Sequence, residues 1–420
     1  MATILLLIIY LIFISLGLPD SVLGSSFPAI AENLKIDASV ASYLSPLVSI
    51  GTIISSFLSP YLIKKFKAQW VVSFSILLTA IGLLLFSFAK ENTWWLLFVS
   101  TVPLGLGAGA IDSALNNYVA IHYKALHMNW LHCSWGVGTV ISPLIIGAFI
   151  DSNNNSTGWN KGIIIISTIQ FIIMLISFIS IPLWYKISNN NTNKKEEKEE
   201  VIDDNKYTYK YFFTNPIFYL TVIGFFSYCA LETTTGLWTG AYLNIGKGFS
   251  TQEAATFTSL FYIGITSGRF LSGPLSLKIK ENNMIRLGEV ILVISSIILI
   301  ISSSTKGDYT KSLALAGICL IGLGCAPIYP AIIRLTPYRF SITGSQKAMG
   351  LEVAIAYTGN LLVPFLVGQI AKLLNNNYLI LPYVLIFFIV LMIICHESIN
   401  IKLNKRDKNL TVDERKEYNF

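Results

Sequence analysis

The sequence predicts an all-α polytopic membrane protein with twelve transmembrane helices arranged as two parallel six-helix repeats. Three observations carry this expectation. The 420 residues are 53% hydrophobic and only 13% charged, where a soluble chain has about 25% charged residues. Apolar runs of the ~20 residues needed to cross a bilayer recur along the whole chain. Motifs of the first half also return in the second half, in the same order.

The first run, MATILLLIIYLIFISLGLPDSVLG, predicts a span over 3–31. No basic segment precedes it, the first lysine is Lys35, and no small-residue cleavage site follows. It therefore reads as a retained membrane helix and not as a removable leader. Pro19 frees the carbonyl four residues earlier, so a local break is expected beside Asp20. Spans over 39–62, 69–89, 94–121, 127–150 and 162–185 complete an N-terminal bundle, 1–185. The stretch NNNTNKKEEKEEVIDDNKYTYK has few large apolar residues and reads as a solvated linker over 186–215. Spans over 216–243, 253–277, 284–303, 311–336, 345–373 and 378–397 form a C-terminal bundle, 216–398, followed by a polar tail over 399–420.

Basic residues set the orientation. With the N-terminus inside, most of the 30 lysines and arginines fall in cytoplasmic loops, the linker and the tail, among them Lys64, Lys65, Lys67, Lys278, Lys280 and Arg286. The outer loops hold only Lys35, Lys90, Lys161, Lys247, Lys306, Lys311 and Lys372. Both termini and the linker are therefore expected in the cytoplasm, and the net charge of +7 follows from topology and not from nucleic-acid binding. The Asn- and Lys-rich loops suit a low-GC bacterial chain, which points to a bacterial inner (plasma) membrane.

Four helix pairs carry the repeat. Asp20-x3-Gly24 matches Glu232-x3-Gly236, and Gly51 with the FLS at 57–59 matches Gly264 with the FLS at 270–272. Gly105-Leu106-Gly107 matches Gly322-Leu323-Gly324, and Gly138-x4-Pro143 matches Gly359-x4-Pro364. The separation grows slowly along the chain, as for two copies that differ by small insertions. Parallel repeats place a cavity at their interface near mid-membrane, the geometry of alternating access.

An ionisable side chain deep in a span costs about 2.5–3.5 kcal/mol by insertion scales, so it faces a cavity or a partner. Asp20, Asp112 and Glu232 meet that test and form the expected proton-coupling set. Asp20 reads as a proton carrier or as an acceptor for a substrate hydroxyl; the structural alternative ties it to hydroxyls and amides beside the Pro19 break. Asp112 shares a helix face with Asn116, a pair suited to vicinal hydroxyls; the alternative is an interhelical hydrogen bond. Glu232 precedes three threonines and reads as a second protonation site or part of a Na⁺ site, or else as the partner of Arg269. Arg269 is the one basic residue well inside an expected span. Pairing with Glu232 is its favoured role, because a buried arginine rarely stays unpaired; binding an anionic substrate is the alternative.

The expected substrate-binding set is Asn116, Asn117, His132, Trp135, Trp238, Arg269 and Tyr329. His132 could join a proton relay or cap a helix. Trp135 and Trp238 could stack on a sugar face or simply pack. Tyr329, the repeat mate of Asp112, could add a cavity hydroxyl. Glu352 and His396, near membrane ends, read as structural. GLGAGA at 105–110 follows no strand and lacks a following Lys-Ser or Lys-Thr, so it permits helix packing and does not cradle phosphate. The five cysteines lie in apolar runs without ligand spacing. No enzyme constellation, cofactor or metal is expected.

The 6+6 repeat with its charged linker resembles the major facilitator superfamily over essentially the whole chain. LGLPDSVLG, DSALNNY and YCALETTTGLW resemble its fucose permease-like sugar:proton symporter branch. In that branch a first-helix Asp and a fourth-helix acid line the cavity, and the fourth-helix pattern is acid-x3-Asn-Pro-Tyr. Asp112, Asn116 and Tyr118 match it; Asn117 stands where Pro is expected. The superfamily signature between the second and third helices, G-x3-D-R-x-G-R, is replaced by SPYLIKKFK, with Lys64 at the acid position. The resemblance implies secondary active transport of a small polar solute, with a sugar in proton-coupled symport as the leading expectation. Proton-coupled efflux of an amphipathic compound, Na⁺-coupled sugar uptake and, further off, a non-transporting membrane sensor are the alternatives. The expected partners are a small-molecule substrate, a coupling proton or Na⁺, and the lipid bilayer, with the protein acting as a monomer.

Overall fold

Long apolar helices make up nearly all of the computed structural model, which describes residues 2–122, 125–191, 209–307 and 309–409. Most of the expected linker and half of the expected tail lie outside these residues, as does the side chain of Asn117. Eleven helical stretches among the described residues are long and apolar enough to cross a membrane.

The first span is broken into α1 (Ala2–Asp20) and α2 (Val22–Leu34). It is followed by α3 (Ala41–Phe66), α4 (Ala68–Ser87), α5 (Leu96–His122), α6 (Ala125–Phe149) and α7 (Trp159–Asn191). A short α8 (Tyr209–Thr214) leads into α9 (Pro216–Ala241), α10 (Thr251–Leu275) and α11 (Glu281–Ser304). The tenth span is again broken, at Pro327, into α12 (Tyr309–Cys325) and α13 (Ile328–Phe340). α14 (Ile342–Leu373) and α15 (Leu381–Asn409) complete the chain.

The twelfth expected span is α10, which falls outside the apolar eleven because it carries Arg269 and many hydroxyls. Those hydroxyls are satisfied locally. Thr256, Thr258, Thr266 and Ser267 each donate to the carbonyl one turn earlier, which lets a polar helix lie within the membrane.

The two halves use one packing scheme twice. α1 packs on α6 as α9 packs on α14; α5 lies between α3 and α4 as α12 lies between α10 and α11. The glycines that align the repeats sit at these crossings. A Cβ on Gly138 would overlap the Ile14 carbonyl, and one on Gly359 would crowd the Phe226 carbonyl. Gly51 meets Gly105 in one half, and Gly264 meets Gly322 in the other. Such close backbone approach is what small residues give helices in lipid.

Between the halves, α6 packs along α10, α3 on α14, and α2 on both α9 and α10. Gly24 abuts Gly236 and Gly240, Gly147 abuts Thr256, and Gly368 abuts Ser42. These contacts lie between mid-membrane and the end remote from Ala2 and Asn409. A hairpin between α6 and α7, closed by an Asp151–Thr157 bridge, spans the seam there. Its Ser156 hydroxyl bonds to Glu32 at 2.6 Å and to Thr251 at 2.6 Å, and Ser152 accepts the Gln252 backbone N–H at 3.0 Å.

At the opposite end of the second half, one buried and one exposed charge pair tie the helices. His396 Nδ1 lies 3.2 Å from both Glu289 oxygens, and Arg286 grips Glu397 through two hydrogen bonds. Thr336 donates to Glu352 at 2.8 Å, with Arg339 alongside. His396 and Glu352 thus sit in structural networks.

Candidate transport site

The site begins at the break in the first span. Pro19 cannot bond to the Ser15 carbonyl, and Gln170 of α7 takes that carbonyl instead, donating from Nε2 at 2.7 Å. Ser142 of α6 donates to the Leu18 carbonyl at 2.7 Å. The helix therefore ends at Asp20 with its freed carbonyls satisfied. Asp20 is exposed by accessible surface although α5, α6 and α10 surround it. It lines an open space between the halves.

A chain of contacts crosses that space. Trp135 of α6 donates its indole N–H to Asp20 Oδ2 at 2.6 Å. The Arg269 guanidinium of α10 lies over the face of the same indole, 4.8 Å from the ring centroid. Arg269 also reaches Glu232 of α9, at 3.4 Å, with both side chains mostly buried. Asp20 and Glu232, equivalent in the repeat, are thus joined through one tryptophan and one arginine. Tyr228, one turn before Glu232, stands beside both Glu232 and Arg269, and Tyr262 of α10 stands between the two acids.

A second polar group lies nearby on α5. Asn116 donates to Asp112 at 2.8 Å, as the shared face predicts, and its own Oδ1 has no partner in the structure. Asp112 is within electrostatic reach of Asp20 in its own half. Across the seam, Tyr329 and Tyr357 lie within electrostatic reach of Asp112 and of each other. Thr233 donates to Asn360 of α14 at 2.7 Å.

The other expected residues are placed as follows. His132 packs edge-on to Phe13 and lies near Arg269. Tyr118 packs against Trp184 with the rings tilted by 52° and their centroids 4.5 Å apart. Trp238 is buried, donates to the Pro364 carbonyl at 2.9 Å and packs on Tyr378, so it is not among the groups around Asp20 and Asp112. Thr235 donates to the Leu231 carbonyl. With Thr233 donating to Asn360, the protons of both hydroxyls are directed away from Glu232.

Tyr228, Tyr262, Tyr357, Asn360 and Gln170 were not anticipated. Two of them had a signal. Tyr228 is four residues before Glu232 and so on its face, and Asn360 adjoins Gly359, which aligns the repeats. Tyr262, Tyr357 and Gln170 are defined by neighbours on other helices.

Residues 9–345 match the Major Facilitator Superfamily. The chain belongs to the major facilitator superfamily. This superfamily and its fold are those of transporters, not enzymes. Among curated superfamily relatives, the glucose/mannose transporter GlcP of Bacillus subtilis is 23% identical, over 96% of this chain and 96% of that protein. Bypass of stop codon protein 6 of Saccharomyces cerevisiae is 23% identical over 88% of this chain and 77% of its own length. The sodium-dependent glucose transporter 1 of Xenopus laevis is 22% identical over 85% and 74%. Solved superfamily structures with the same fold include a D-xylose-proton symporter, with TM-score 0.70, 13% identity and coverage of 92% of this chain and 96% of that one. The nucleoside transporter NupG superposes with TM-score 0.71 at 13% identity, covering 96% and 99%. A multi-pass membrane transporter of a small molecule follows from these findings.

Proposed function

We propose that this protein is a proton-coupled symporter of a hydroxyl-rich solute, a sugar, working by alternating access in a bacterial inner membrane as a monomer. The observation that carries the reading is two carboxylates inside membrane helices of the first half, each held by one donor: Asp20 by the Trp135 indole N–H at 2.6 Å and Asp112 by Asn116 at 2.8 Å. Carboxylates and amides such as the Asp112–Asn116 pair accept and donate to vicinal hydroxyls, and a carboxyl at an open space can exchange a proton. With both termini cytoplasmic, the contacts at the far end make this an inward-facing state. The printed names of GlcP and of the frog relative support sugar as the solute class.

In the proposed cycle, the outward-facing form takes a proton on Asp20 or Asp112 and then binds the sugar. The neutral carboxyl lowers the barrier to closure, the halves rock about the α6–α10 and α3–α14 seams, and sugar and proton leave inside. Purified protein in liposomes, tested with D-glucose and D-mannose, should take up protons with the sugar. Intact coupled uptake in both Asp20→Asn and Asp112→Asn would sink the mechanism.

Na⁺ coupling is the second reading, favoured by the name of the frog relative. Thr233 and Thr235 act as donors to Asn360 and to the Leu231 carbonyl, which leaves their oxygen lone pairs open to a cation. Na⁺-dependent uptake with no pH dependence would establish it.

A further inference from the structure

We infer that Trp135 is a positioning residue that makes the proton-carrying state of Asp20 depend on the position of the opposite half. This deepens the proton-coupled reading above and rests on it. The argument starts from which contacts are internal to one half. Asp20 and Trp135 stand on α1 and α6, so their hydrogen bond lies within the first half. Arg269 and Glu232 stand on α10 and α9, so their ion pair lies within the second. The stack of Arg269 on Trp135 is the link that crosses the seam. Rocking of the halves moves neither internal pair's helices apart, but it separates the stack.

The stack has a consequence for Asp20. An indole has one donor and two chi angles, so its N–H meets Oδ2 only while the ring keeps its orientation. The planar guanidinium lying on the ring face holds that orientation in the present state, and its cation is attracted to the ring's negative face. Oδ2 accepts the N–H, which leaves Oδ1 as the oxygen able to carry a proton. A donor at 2.6 Å supports the carboxylate form and so favours proton release. When the halves part at this level, Arg269 leaves the ring, the indole is freer to turn, and Asp20 holds a proton more readily. The order of events required by symport, uptake on one side and release on the other, then follows from one movable contact.

The other groups facing Asp20 do not supply this link. From α5 comes Asp112, which disfavours a second charge in either state because it belongs to the same half. From α10 comes Tyr262, and from α6 His132, which lies near Arg269. One turn earlier, α7 brings the uncharged Gln170, which donates to the Ser15 carbonyl and to Thr79 of α4. Glu232 reaches the group only through Arg269 and Tyr262.

The test needs no substrate. Infrared titration of the purified full-length protein follows the protonated-carboxyl band of Asp20, assigned as the band lost in Asp20→Asn. Trp135→Phe keeps a ring for Arg269 but removes the N–H donor. The band midpoint should move up by about one pH unit, the value of one hydrogen bond to a charged group. Arg269→Lys keeps the charge and the Glu232 partner but loses the flat face on the indole, and should move the midpoint the same way by a smaller amount. A titrating Asp20 band whose midpoint is unmoved in either variant overturns the inference and leaves the proton-coupled reading standing. No titrating Asp20 band in the parent protein overturns both. A role confined to packing would lower thermal stability without moving the midpoint.

Discussion

Gly24 and Gly236, which occupy equivalent places in the two repeats, meet each other across the seam between the halves. A Cβ on Gly24 would overlap the Gly236 carbonyl. Sites that correspond by descent from one repeat are therefore also partners in space. Closure at this end depends on Gly24 having no side chain, whereas a Cβ on Gly236 would crowd the Tyr262 hydroxyl of its own half.

Gly24→Val should open this end. Overpacking costs about 1–3 kcal/mol, which moves a two-state equilibrium about five- to a hundredfold. Spin labels at Lys90 and Lys306, in a background without the five native cysteines, should show a longer mean distance than in the parent. An unchanged distribution would count against a seam set by backbone contact.

The break at Pro19 is tied to Gln170. Gln170→Leu leaves the Ser15 carbonyl buried and unpaired, at about 1–3 kcal/mol. Adding Pro19→Ala restores an N–H four residues on from Ser15, and should recover most of that loss. Thermal unfolding in detergent of both single variants and the double gives the coupling energy. Simple additivity would mean the two positions are independent.

Glu232 and Arg269 should behave as a pair. Either Glu232→Gln or Arg269→Gln leaves a mostly buried charge without its partner, whereas the double variant leaves none. The double should unfold closer to the parent temperature than either single. A double variant worse than both singles would mean the pair is not the chief partner of either residue.

Asp37 gives the closed end a pH dependence. It lies between the first two spans and accepts the Ser39 backbone N–H at 2.8 Å. Partial burial pushes its carboxyl up, but hydrogen bonds from Ser39 and the Lys372 charge of the other half outweigh this and hold it below the usual range. A carboxyl with a depressed value contributes stability above its unfolded-state value. That stability is lost as pH falls through the lowered one. Acidifying the solution at this end below about pH 4 should loosen the seam in the parent more than in Asp37→Asn. The same Lys90–Lys306 distance, followed against pH, checks the sign.

Much of this architecture could be read from the residues, because hydropathy and repeat spacing are local properties of the chain. The break beside Asp20 and the Asp112–Asn116 pair follow from spacing of one or two turns, whereas the helix ends do not: α15 runs to Asn409, past the expected span end at 397 and into the expected polar tail, because polar residues continue a helix that hydropathy alone would end. Arg269 was assigned to Glu232 because a buried cation needs an anion, and it does reach Glu232. Its second partner, Trp135, lies on a helix of the other half, and no spacing along the chain encodes that meeting. Tyr357 within electrostatic reach of Asp112 and Gln170 capping the Ser15 carbonyl are hidden for the same reason. Trp238 looked available from sequence because its depth could be inferred but its partner, the Pro364 carbonyl, could not.

The hairpin over 151–157 leans on Glu32 and on the first turn of α10 at once. Together these three segments form a composite epitope that exists only while the two halves are shut at that end. A nanobody selected against it would grip the protein at that end without entering the transport path. It would report the fraction of shut molecules in a living cell and, at saturation, hold the transporter in that half of its cycle.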